Sequence, residues 1–116
     1  MGSGKGNVVQ ILIQVICKKG QSLREKIVKD AALSRHSLKV TEERRPDRPR
    51  GWAKIHSTEP DRRGAINVQW LADTNILLAR IVTRSGNKPN LIIGDFVDYL
   101  LARHKARIEA INVIPR

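Results

Sequence analysis

Residues 65–84 constrain this chain more than any other stretch. From Ala65 to Leu71 the side chains alternate, with Ile66, Val68 and Trp70 on one side and Asn67 and Gln69 on the other. Ala72-Asp73-Thr74-Asn75 has the composition of a turn, and Ile76 to Arg84 then alternates again. Alternation on both sides of a short polar turn predicts an antiparallel hairpin. Leu77, Ala79 and Ile81 would share its apolar face, while Arg80 and Arg84 would lie on the other. A hairpin with one apolar face is marginal alone and needs further strands or a helical layer over it.

The flanking segments offer both. Val8 to Cys17 is crowded with β-branched residues and reads as a strand, apolar on both faces and therefore expected to be central. Ser22-Leu23-Arg24-Glu25 is a capping box, and the helix it opens is expected to run to about Leu33. Leu23, Ile27, Val28, Ala31 and Ala32 form its buried stripe, with Arg24, Lys26 and Lys29 outside. The first strand is expected to pair in parallel across this helical crossover. Ser37 to Glu43 and Trp52 to Ser57 read as strands around Arg44-Arg45-Pro46-Asp47-Arg48-Pro49-Arg50-Gly51, whose prolines and glycine forbid regular structure.

A second helix is expected from about Leu91 to Arg107, burying Ile93, Phe96, Val97, Leu100 and Leu101, and Ala110 to Ile114 reads as an edge strand. The order is β-α-β-β-β-β-α-β. It predicts an α+β fold: a mostly antiparallel sheet of about five to six strands, with two helices packed on one face. The 116 residues suit one domain over residues 8–116, with Met1 to Asn7 as a flexible leader.

Several function classes drop out. Cys17 is the single cysteine, which excludes an intrachain disulfide, a zinc finger or a redox pair. The apolar run from Val8 is far shorter than the ~20 residues of a membrane span, and Lys18 and Lys19 stand where a signal cleavage site would be. No membrane partner is expected, and a cytoplasmic location is the default. Gly2-Ser3-Gly4-Lys5 lacks a preceding strand, and Gly6 replaces the Ser or Thr of a phosphate loop. No cofactor motif or metal-ligand set is visible, so no cofactor is expected.

Charge is the positive signal. The chain carries 22 Lys and Arg against 11 Asp and Glu, a net +11. If the apolar face of the sheet meets the helices, the opposite face carries Trp52, Lys54, His56, Asn67, Gln69, Arg80 and Arg84. The adjoining loops add Arg44, Arg45, Arg48, Arg50, Arg62 and Arg63. Cations neutralise phosphates, amides hydrogen-bond bases or sugars, and a Trp can stack. Trp70 is expected in the core.

These residues point to a nucleic-acid-binding domain, RNA or DNA, that works mainly through phosphate contacts and is more in keeping with binding than with catalysis. Two alternatives stay open. One is an assembly subunit that forms a homo-oligomer through the sheet face or the last edge strand. The other is a metal-independent ribonuclease with His56 and Glu59 as an acid–base pair. His36 has no evident partner, and His104 is expected to serve the end of the second helix.

Overall fold

The computed structural model describes residues 8–84 and 86–115, so the leader expected at Met1 to Asn7 lies outside the described residues. The elements run β1 (Val8–Cys17), α1 (Leu23–Val28), a 3-10 segment (Ala31–His36), β2 (Leu38–Glu42), β3 (Trp52–Ser57), β4 (Ala65–Leu71), β5 (Ile76–Arg84), α2 (Pro89–Arg103), a 3-10 turn (Lys105–Arg107) and β6 (Ile108–Pro115). The six strands form one sheet in the order β2-β3-β4-β5-β1-β6. Every pairing is antiparallel, so the α+β expectation holds and the parallel pairing expected of β1 does not occur. β1 follows no crossover into a parallel neighbour; the chain returns to it from β5 on one side and β6 on the other.

One face of the sheet is covered. Ile13 and Val15 from β1, Ala53 and Ile55 from β3, Ile66 and Val68 from β4, and Leu77, Ala79 and Ile81 from β5 are fully buried in a single cluster. Leu23 and Ile27 of α1 and Ile92, Phe96, Tyr99 and Leu100 of α2 close over them. Each of the Val, Leu, Ile and Phe side chains among them contributes roughly 1.5–3 kcal/mol by leaving water.

α1 is shorter than its sequence pattern suggests. Ser22 caps it as expected, its hydroxyl accepting from the Glu25 N–H at 3.2 Å. The helix ends at Val28 because Asp30 takes an extended backbone, φ −88° and ψ 107°, and caps the 3-10 segment through the Ala32 N–H. The Asp30 carboxylate is held there by Arg103, with two bonds of 3.0 Å, and by the Tyr99 hydroxyl at 2.9 Å. Tertiary bonding thus overrides a helical propensity worth only tenths of a kcal/mol per residue.

α2 buries Ile92, Phe96, Tyr99 and Leu100, a stripe rotated by one position from the expected one. Ile93 and Val97 remain partly buried, and Leu101 is exposed. Trp70, expected in the core, is half-buried at its edge against Gly51. No helix among the described residues is long and apolar enough to cross a membrane.

Candidate functional site

Among the described residues, no helix lies over the other face of the sheet. Cross-strand register arranges its side chains in rows. Trp52, Gln69, Leu78, Gln14 and Asn112 lie side by side across β3, β4, β5, β1 and β6. The next row is Lys54, Asn67, Arg80, Leu12 and Ile114, and the one after it His56, Ala65, Val82 and Gln10. Arg84 pairs with Val8 beyond them. The amides are not idle: the Asn112 side chain donates to Gln14 Oε1 at 3.0 Å.

Among the described residues, β1, β3, β4, β5 and β6 place no carboxylate on this face. Glu42, at the β2 edge opposite Lys54, is the exception. Arg45 clamps it with bonds of 3.0 and 2.7 Å, which holds the Glu42 carboxyl below its ordinary range. The acids of the helical layer have partners of their own. Asp30 binds Arg103, Asp95 binds Arg62 at 2.7 Å, and Asp98 lies 3.1 Å from His36 Nδ1. Among the described residues, Lys54, Arg80, Arg84, Arg63, Arg44, Arg48 and Arg50 make no salt bridge.

The arginine loop between β2 and β3 is built on Trp52. The indole is only 3% exposed, so it presents no free ring for a base to stack on. The guanidinium carbons of Arg45 and Arg48 lie 5.2 and 5.5 Å from its ring centroid, so the ring acts as a shelf for two cations. Arg48 thereby reaches the open face, where it borders a small hollow with Trp52, Asn67, Gln69 and Arg80.

Arg24 fixes the stems of this loop. The residue is 5% exposed, and its guanidinium donates from Nε to the Trp52 carbonyl at 3.1 Å and also bonds the Glu43 carbonyl and the Glu25 carboxylate. The sequence pattern had put Arg24 outside the stripe. Its place one step from Leu23 and three from Ile27, on the flank of the stripe, is the only signal that it turns inward.

At the other end of β3, Lys54, His56, Arg63 and Arg84 line a broad open groove with Pro60 and Val82. His56 Nδ1 lies 2.7 Å from the Thr41 hydroxyl. Burial, and secondarily Lys54, push its pKa below 6.5, so the ring is neutral at neutral pH. The Glu59 carboxylate accepts from Thr58 rather than meeting His56.

Of the eleven residues the sequence points to for binding, Trp52, Lys54, His56, Arg80 and Arg84 belong to the open face, Arg48 and Arg63 border the hollows at its two ends, Arg45 lies over the Trp52 ring, and Arg44 and Arg50 line a cleft against α1. Arg62 is the exception: its guanidinium turns to α2 and bonds Asp95 and Asp61, a structural role. Among the described residues, no group of three or more His, Cys, Asp or Glu could hold a metal ion. No family model, curated protein or solved structure matches the chain.

Proposed function

We propose that this chain is a nucleic-acid-binding domain that docks its open sheet face on a phosphate backbone. The observation that carries the reading is the sorting of charge. Most carboxylates lie in the helical layer and the loops, several of them already paired, and Glu42, which faces Lys54 from the β2 edge, is clamped by Arg45, while Lys54, Arg80 and Arg84 on the open face make no salt bridge among the described residues. A polyanion meeting that face displaces counterions without first breaking salt bridges. Arg48 and Arg63 extend the cationic surface beyond the two ends of β3. Asn67, Gln69 and Gln14 lie between the cations and supply donors and acceptors to sugars or base edges. With Trp52 covered, binding rests on phosphates rather than on stacking. The test is a titration of short RNA and DNA strands at several salt concentrations, with Lys54, Arg80 and Arg84 replaced by Gln in parallel. Loss of affinity with a shallower salt dependence supports the reading; identical titrations refute it.

A second reading, a homo-oligomer through the edge strand, is favoured by β6. Its Val113 and Ile114 are 47% and 39% exposed, and Glu109 is the only charged residue within the strand. The register irregularity at Glu109 and the terminal Pro115 guard only the two ends of β6, and Ala110 to Ile114 between them carry no lysine against further pairing.

A further inference from the structure

Deepening the nucleic-acid reading, we infer that the cleft between α1 and the arginine loop is a pocket for a terminal phosphate monoester. The cleft has a volume of about 520 Å³ and is lined by Arg24, Arg44, Arg45, Arg48, Arg50 and Glu43, among others. That size suits a single nucleotide, since small-molecule pockets span ~300–1,000 Å³. α1 walls one side and the arginine loop the other, with the buried Arg24 between them.

The cations of the cleft fall into two sets. Arg24 and Arg45 are committed: Arg24 ties the loop stems together, and Arg45 clamps Glu42 above Trp52. They shape the cleft. Arg44, Arg48 and Arg50 are exposed and, among the described residues, bond no carboxylate; Arg48 rests on the Trp52 ring, which leaves its N–H groups free. Three unpaired guanidiniums around one cavity call for a concentrated negative charge. A backbone diester brings one charge per phosphate. A monoester brings ~1.5–2 at pH 7 and three acceptor oxygens, each able to meet the fork of an arginine. Two carboxylates line the same cavity: Glu25 is paired with Arg24, Glu43 can accept from a sugar hydroxyl, and both repel a second phosphate.

Such a group comes either from the phosphorylated end of a strand or from a free nucleotide. The test compares one fluorescent oligonucleotide in three forms: phosphorylated at its 5′ end, phosphorylated at its 3′ end, and hydroxyl at both. In parallel, a nucleoside monophosphate is titrated by calorimetry. A preference of about tenfold for one phosphorylated form is expected, as for one added charge-assisted contact. The preference is expected to vanish in the double variant Arg44→Gln with Arg50→Gln, and to survive Arg80→Gln, which weakens all three forms alike. Uptake of the nucleoside monophosphate that is lost in the Arg44/Arg50 variant also upholds the pocket. If no strand binds in that case, the ligand is a free nucleotide and the sheet-face reading fails instead. Equal affinity for the three strands, with no uptake of nucleotide, overturns the pocket.

Discussion

Arg24 Nε donates to the carbonyl oxygen of Trp52 at 3.1 Å, across 28 residues of sequence. The same guanidinium reaches the carbonyl of Glu43, so one buried side chain closes the two stems of the arginine loop. The fold thereby fixes a loop that its prolines and charges would leave loose.

Removing that tie exposes its value. Arg24→Ala leaves two carbonyls without their donor, and should destabilise the protein by about 2–4 kcal/mol. Arg24→Lys should recover little, because one ammonium does not reproduce the fork. Urea unfolding measures both. A stable Lys variant would show that the loop stems stand without the bridge.

Gly51 sets the seat of the same loop. A Cβ there would lie 2.6 Å from the Trp70 carbonyl oxygen, and the backbones already meet where the Trp70 N–H donates to the Gly51 carbonyl at 2.9 Å. β4 has little freedom to retreat, so Gly51→Ala should cost roughly 1–3 kcal/mol. Thermal melts read it, and an unchanged midpoint would mean that β3 shifts freely on β4.

Acid should loosen the helical layer. The Arg103 guanidinium, with the Ala32 N–H and the Tyr99 hydroxyl, holds the Asp30 carboxyl far below its ordinary 3.8, and burial holds His104 below 6.5. Both groups bind fewer protons folded than unfolded, so stability is fully present above these ordinary values and falls with pH. The loss begins below 6.5 through His104 and deepens below 3.8 through Asp30. In Asp30→Asn the neutral-pH melting point should fall, and its decline below about pH 4 should be shallower than in the parent. Parallel declines would remove Asp30 from the acid response.

If β6 pairs with a second copy, light scattering should give a dimer mass, and Val113→Lys should return a monomer. A monomer at every concentration would leave β6 as a bare edge.

The sequence revealed the strand pattern because alternation with turn residues is a local signal. Hence β3, β4 and β5 match their expected bounds residue for residue. β1 was legible as a strand, but its partners were not, because pairing direction depends on contacts distant in sequence. The α2 stripe slipped by one position. Ile93, Val97 and Leu101 keep helical spacing as well as Ile92, Phe96 and Tyr99 do, and only packing tells the two stripes apart. The cations of the candidate site were visible, but their commitments were not. Arg62 and Arg45 look free in sequence and are spent on Asp95 and Glu42, while Trp52 looks like a stacking ring and is a buried shelf.

The most direct measurement is fluorescence anisotropy of a short oligonucleotide titrated with the protein across a range of salt concentrations. The log of the affinity should fall linearly with the log of salt, with a slope near 0.7–0.9 per phosphate contacted. Replacing Lys54, Arg80 and Arg84 together by Gln should flatten that slope by roughly two units or more while the melting curve stays in place. Absence of binding at low salt, or a slope the triple variant leaves untouched, would contradict a phosphate-binding sheet face.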